Sequence, residues 1–337
     1  MEIGTDRPPL SIRVVSDGRA GMENQALGLA EAVQRLLPSG ITVCRVAWRK
    51  AFDKLPSALK APWMLAASSD APFPAPGEAW PDLWIATGRA TLPLSLATKR
   101  RSGGKTLVVQ TQDPRWRTER FDLVIAPRHD GIEGPNVLAI SGSPHRVTPE
   151  RLAEGSAGFA DRLGLLPHPR VAALIGGRSR SHDLPTDHAA DLADRIGRAV
   201  EDAEGSLLLT FSRRTPAAAK AVMTGRLQHL PGLIWDGTGP NPYFAFLRFA
   251  DHLLVTEDSA NMAAEAAATG KPVHILPMVA LKAGDKFARL HADLREQGAA
   301  RPFDGRLDGW RYAPLDETER AARAVIAALD ARRATSP

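Results

Sequence analysis

A single cysteine, Cys44, stands in a chain of 337 residues. That scarcity excludes an intramolecular disulfide framework and any multi-cysteine zinc or iron–sulfur centre, and it fits a reducing compartment. No apolar run approaches the roughly 20 residues needed to span a bilayer, and the opening MEIGTDRPPLSIRVV holds no apolar stretch of signal-peptide length. A cytoplasmic protein is expected, with a peripheral contact at the inner membrane left open for a basic or apolar patch. Blocks of like charge are also missing: Lys plus Arg number 43 and Asp plus Glu 38, a net charge of +5 spread along the chain. Such a spread is not a nucleic-acid tail, and no nucleic-acid partner is expected. His145, His182 and His188 lack the i, i+4 spacing with an acid that makes a metal helix, so no metal site is expected either. The 28 glycines and 27 prolines fall between periodic segments and punctuate a fold.

What is present is an alternation of short apolar strands and helices. Strands are expected at Ser11–Val15, Ile41–Val46, Leu83–Thr87, Thr106–Gln110 and Leu123–Ala126, with helices at Asn24–Leu37 and Leu92–Arg101. Thr148-Pro149-Glu150 starts a helix to about Leu163, and Leu166-Pro167-His168-Pro169-Arg170 reads as a stiff connection. The pattern then restarts with strands at Val171–Ile175, Ser206–Phe211, Leu233–Trp235, His252–Thr256 and Val273–Leu276, and a helix at Leu184–Glu201. Asp316–Arg333 closes the chain as a helix. The expectation is an α/β protein of two domains, residues 1–165 and 166–315, with 316–337 packing back on the first. In doubly wound folds of this kind the ligand lies at the carboxyl ends of the strands, here in a cleft between the two sheets.

Both halves open with a strand, a glycine turn and a helix. Asp17-Gly18-Arg19-Ala20-Gly21 and Gly176-Gly177-Arg178-Ser179 let backbone approach a ligand and leave helix N–H groups for an anion, although such turns are often only structural. The second turn carries Arg178, Ser179, Arg180 and Ser181, and Ser212-Arg213-Arg214-Thr215 follows the neighbouring strand. Two adjoining strand ends rich in arginine suit a diphosphate; a solvated basic loop is the plain alternative. Further along, Asp258 or Ser259 caps a helix in which Glu265 sits among alanines. A buried carboxylate there calls either for ligand hydroxyls, such as a ribose diol, or for an Arg partner. Asn241-Pro242-Tyr243 reads as a capped helix start on the donor side. In the first half, Gln110 and Arg115 follow a strand, and His129 lies beside Asp130 beyond another.

The strings SDGRAGMENQALGLAEAV, APRHDGIEGPNVLAISGSPHRVT and DGTGPNPYFAFLRFADHLLVTEDSANMAAEAAATGKPVHIL closely resemble the mitochondrial fission "elongated mitochondria" family of bacteria and plants, over roughly residues 11 to 330. That family is similar to glycosyltransferases of the GT-B architecture: two Rossmann-like domains with a cleft between them, the nucleotide sugar on the C-terminal one, the acceptor on the N-terminal one, and a C-terminal helix crossing back. Ser259–Pro272 resembles the donor helix of the lipid-linked N-acetylglucosaminyltransferase of peptidoglycan synthesis, which implies that Glu265 meets the ribose. Many bacterial relatives carry His at the position of Met22, and a thioether cannot accept a proton. Asp17, Glu23 and His129 remain as candidate catalytic groups. Asp17 could equally be a turn residue, Glu23 a helix-start acid, and His129 merely hydrogen-bonded.

The resulting expectation is a metal-independent glycosyltransferase without a tightly bound cofactor. Gly176, Gly177, Arg178, Ser179, Ser212, Arg213, Asn241, Asp258, Ser259 and Glu265 would hold a nucleotide-diphosphate sugar, a UDP-sugar foremost. Gly18, Gly21, Asn24, Gln110 and Arg115 would face a lipid or glycan acceptor, with cell-envelope glycan or glycolipid synthesis as the setting. Two alternatives share the fold: a nucleotide-sugar 2-epimerase, and a non-catalytic adaptor that recruits a division or envelope protein.

Overall fold

A computed structural model describes residues 8–282 and 285–335. The chain forms two compact units. One runs to Arg146 and resumes at Asp316; the other is Val147–Leu315.

In the first unit the chain runs through β1 (Leu10–Ser16), α1 (Ala20–Leu36), β2 (Ser39–Arg45), the short α2 (Lys50–Asp53), β3 (Leu83–Thr87), α3 (Leu92–Arg101), β4 (Leu107–Thr111), β5 (Leu123–Pro127) and β6 (Val137–Ile140). All six strands are parallel, in the order β2-β1-β3-β4-β5-β6. Alternate residues face opposite sides, and both sides are apolar, as a sheet covered on two faces requires. Ile12, Val14, Ile85, Val109 and Ile125 meet Leu29 and Val33 of α1, whereas Val15, Trp84, Val108 and Val124 meet Leu92 and Leu94 at the start of α3.

The second unit contains α4 (Pro149–Ser156), α5 (Ala160–Gly164), β7 (Arg170–Ile175), β8 (His182–Asp183), α6 (Thr186–Asp202), β9 (Ser206–Phe211), α7 (Ala217–Leu227), β10 (Gly232–Ile234), α8 (Tyr243–Phe249), β11 (His252–Thr256), α9 (Ala260–Ala267), β12 (Val273–Leu276), β13 (Val279–Ala280), α10 (Asp285–Glu296) and β14 (Ala300–Pro302). Its main sheet is also parallel, in the order β10-β9-β7-β11-β12-β14, while β8 and β13 pair as a separate antiparallel ribbon. Numbered within the unit, the main order is 3-2-1-4-5-6, the doubly wound order whose switch point falls between β7 and β11. The chain then returns to the first unit as α11 (Glu317–Thr335), whose Ala321, Val325 and Leu329 join the α1 side of that core.

The helix beginning at Pro149 belongs with the second unit, not with the first as expected. Leu152 packs into the cluster formed by Ala245, Phe246 and Leu247 of α8, and a Cβ at Gly155 would lie 2.7 Å from Phe244 Cβ. It is also interrupted by a 3-10 turn at Ala157–Phe159. In the first unit α1 starts at Ala20, four residues earlier than its apolar stripe indicated, so Gly21 and Asn24 are helical. Among the described residues no helix is long and apolar enough to cross a membrane.

Candidate functional site

In the second unit β7 and β11 are adjacent, and both end in polar turns. Gly176 N–H donates to Thr256 Oγ1 at 2.7 Å and Gly177 N–H to Asp258 Oδ2 at 3.1 Å. Thr256 Oγ1 in turn donates to Asp258 Oδ1 at 2.8 Å, and Arg214 Nη1 lies 2.7 Å from Asp258 Oδ2. The Asp258 side chain is fully buried, and its two oxygens are occupied by these three partners. Asp258 therefore shapes the turn; the arrangement binds three strand ends into one rigid unit. Arg178 N–H donating to Arg214 O at 3.1 Å and Ser212 N–H donating to Ile175 O at 2.8 Å complete it.

The glycines of this turn serve close approach. A Cβ on Gly176 would sit 2.0 Å from Asp258 Oδ1, and one on Gly177 would sit 2.3 Å from Arg214 O. Neither has a positive φ, so the conformational reason expected from sequence does not apply here. It does apply at Gly18, where φ is +76°.

Cations remain beside this turn. Arg213 is exposed and forms no ion pair among the described residues, and Arg178 is exposed with Asp183 3.8 Å from its Nε. Ser179 Oγ accepts from the N–H groups of Ser181 and His182 at 3.2 and 3.0 Å, closing the loop on itself. Ser259 caps α9 by accepting from Met262 N–H at 3.4 Å.

Glu265 lies on α9, partly exposed, and its partner is not an arginine. Tyr243 Oη donates to Glu265 Oε2 at 2.5 Å, and Tyr243 is set at the start of α8 by Asn241 Oδ1, which accepts its N–H at 3.0 Å. Burial raises the Glu265 carboxyl to about 7 against the opposing effect of the Tyr243 hydrogen bond. The Tyr243 phenol is pushed well above its ordinary range by burial and by the Glu265 charge. Asn241, Tyr243 and Glu265 are thus brought together from segments 22 residues apart. Tyr243 is the residue that sequence reasoning did not assign; the signal for it was a buried acid with no arginine in its own helix.

The first unit presents a second set of strand ends. Glu23 receives a bidentate contact from Arg45, Nε and Nη2 both at 2.8 Å, and a hydrogen bond from Ser16 Oγ at 2.9 Å. Arg45 holds the Glu23 carboxyl below its ordinary value, and Ser16 adds to the effect. Asp17 pairs with Arg19 at 2.7 Å and accepts its N–H at 3.2 Å. Met22 packs beneath the turn after β3, with its Cε 2.9 Å from where a Gly88 Cβ would be. Gln112, left-handed at φ +68°, donates to Gln25 Oε1 at 2.8 Å and reaches Met22 Sδ at 3.5 Å. Strain at such a residue marks functional turns more often than ordinary ones.

Three other expected residues lie apart from these contacts. Gln110 is 1% exposed and faces Ser95, Gly88 O and Thr111 O beneath α3, because its position in β4 alternates toward that face; it does not present itself to a ligand. His129 is buried after β5, with its Nε2 3.8 Å from Asp130 Oδ1, three strand spacings or about 14 Å from β1. Arg115 is exposed beyond β4 with φ +50°. No group of three or more His, Cys, Asp or Glu among the described residues could hold a metal ion.

Residues 20–329 match the family Mitochondrial fission ELM1. The chain belongs to that family. It is 32% identical over 279 residues to the Arabidopsis thaliana Mitochondrial fission protein ELM1, a match that takes in 75% of this chain and 65% of the plant protein, so the chain spans just under two thirds of that relative's length. The fold is that of GT-B proteins. A UDP-GlcNAc 2-epimerase from Methanocaldococcus jannaschii, in complex with UDP-GlcNAc and UDP, aligns over 94% of this chain and 99% of its own at 12% identity and a TM-score of 0.53. A UDP-glucosyltransferase from Polygonum tinctorium aligns over 98% of both chains at 13% identity and the same TM-score, 0.53.

Proposed function

We propose that this ELM1-family chain binds a nucleoside-diphosphate sugar in its second unit and transfers the glycosyl group without a metal. The observation that carries the reading is the conjunction of Gly176-Gly177 at the β7/β11 switch point with Glu265 on the helix that follows β11. Doubly wound sheets bind nucleotides at that point. Arg178 and Arg213 would offer charge-assisted donors to the diphosphate, and helix N–H groups after Ser259 would add to them. Glu265 would accept from the ribose hydroxyls through the oxygen that Tyr243 leaves open. Arginines of this kind also stabilise the charge that develops on a leaving diphosphate. The similar folds named above belong to a transferase and an epimerase that both use UDP-sugars by their names, which supports UDP as the first nucleotide to try.

In the first unit Glu23 is a weak base, since its ion pair with Arg45 holds the proton affinity down. Glu23 and Arg45 instead suit a fixed platform for an acceptor at the ends of β1 and β2, while Asp17 is itself paired with Arg19 and would act as the proton acceptor only once that contact is released.

The test is titration calorimetry with UDP, GDP and CMP, followed by product analysis with labelled UDP-GlcNAc. Binding of one diphosphate, weakened at least tenfold by Glu265→Ala and by Arg213→Ala, supports the site. Sugar release or transfer supports a transferase, whereas a changed configuration at C2 indicates the epimerase. Absence of binding to all three nucleotides overturns the reading and leaves the adaptor role.

A further inference from the structure

A separate cavity of about 450 Å³ opens on the α10 side of the second unit's sheet. It is lined by β12, β14 and α10 together with Ser181, His182 and Glu257 from the segments that follow β7 and β11, and the diphosphate reading above assigns none of these residues a role. Its floor is apolar: Ile275, Phe287 and Phe303 contribute side chains from β12, α10 and the end of β14. Its rim is cationic. Arg295 and Arg301 are both exposed there, and neither forms a salt bridge with a described carboxylate; Arg301 instead lies over the Trp310 ring at 4.3 Å. The one acid of the lining, Glu257, is held in place by Met278 N–H, which donates to its Oε1 at 2.6 Å.

Two imidazoles complete the wall. His291 Nε2 is 2.9 Å from Glu257 O, and a carbonyl only accepts, so Nε2 carries the hydrogen and Nδ1 is a bare acceptor. Burial keeps His291 toward its neutral form. His182 is 8% exposed and packs edge-on against Phe287 at 5.0 Å. The Nδ1 atoms of both histidines are buried without a hydrogen-bond partner among the described residues. Both Nδ1 atoms are closed off from solvent, so the recognition on offer to a guest is apolar and cationic.

An apolar floor and exposed arginines at the rim define an amphipathic guest, and the volume is within the range of small-molecule sites. We infer that this cavity binds a small organic anion, a carboxylate or phosphate carried on a flat apolar body, at a site separate from the nucleotide's. The anionic head would meet Arg295 and Arg301 while the body lies against Phe287 and Phe303.

The probe is 1-naphthyl phosphate, titrated calorimetrically into the full chain beside neutral 1-naphthol, each with and without saturating UDP. Expected are 1:1 binding of the phosphate at least tenfold tighter than that of the alcohol, a loss of fivefold or more in the Arg295→Ala/Arg301→Ala variant, and less than twofold change with UDP. Both arginines are on the surface, so the variant keeps its fold, checked by its melting temperature. A second variant, Ala288→Trp, fills the cavity from α10 and should abolish binding. No binding at millimolar probe, equal binding of the alcohol, indifference to either variant, or displacement by UDP would each overturn the inference. A chain that binds the probe but not UDP would leave the inference standing and remove the nucleotide reading.

Discussion

Tyr243 Oη is 2.5 Å from Glu265 Oε2, so the acid of α9 is joined to the first residue of α8 by a single hydrogen bond. A carboxyl raised to about 7 binds more protons folded than unfolded between its ordinary value of 4.5 and about 7. Stability contributed by this group therefore falls as pH rises through that window and is flat above it. Glu265→Gln removes the titration while keeping an acceptor for Tyr243. The variant should gain on the parent from pH 5 to pH 8, reaching about 1–2 kcal/mol after allowance for partial exposure. Thermal melts of both proteins across that range check the slope, and a constant difference would refute it.

The Glu23–Arg45 pair should tilt stability the other way. Glu23 is held below its ordinary 4.5, so its contribution is present above that pH and is lost as pH falls through the lowered value. Glu23→Gln is expected to melt lower than the parent at pH 7 and to converge with it in acid. Measured between pH 7 and pH 3, a gap that widens toward acid would contradict the ion pair.

Asp258 is a fully buried carboxylate with three partners, and Arg214 is its cation. Asp258→Ala should cost about 3–5 kcal/mol, because it leaves Gly177 N–H, Thr256 Oγ1 and the guanidinium without their acceptor. Arg214→Ala leaves the buried charge uncompensated and should cost less, about 2–3 kcal/mol, since water reaches the half-exposed arginine side. Urea midpoints of the two variants measure the order.

A methyl group on Gly176 meets Asp258 at 2.0 Å, whereas one on Gly40 in β2 meets nothing within 4 Å. Gly176→Ala is expected to destabilise by more than about 3 kcal/mol, and Gly40→Ala by less than about 1 kcal/mol in either direction. Equal midpoints in urea would mean that the turn does not need the close approach.

Much of the frame was legible in the chain. Leu83–Thr87, Ser206–Phe211, His252–Thr256 and Val273–Leu276 appear as strands residue for residue, since a central strand of a parallel sheet is a short continuous apolar run. Val137–Ile140 and Ala300–Pro302 were not read as strands. Both form sheet edges and are short and partly exposed; Val137–Ile140 is an apolar run of only four residues, and Ala300–Pro302 is not one. The start of α1 was misplaced because Gly21 and Asn24 resemble turn residues until β1 and β2 fix the helix above them.

By itself the sequence determined the α/β class, two parallel sheets and the family, because periodicity and motif strings are local or linear properties. It also marked the glycine turns and Glu265 as unusual. Tertiary structure decided which groups are available. It closed Asp258 with Thr256, Gly177 and Arg214, turned Gln110 into the core beneath α3, and supplied Tyr243 where the alternative reading of Glu265 called for an arginine. Those outcomes depend on which strand ends lie side by side and which face of a strand a helix covers, and long-range pairing of that kind leaves no fixed spacing in the chain.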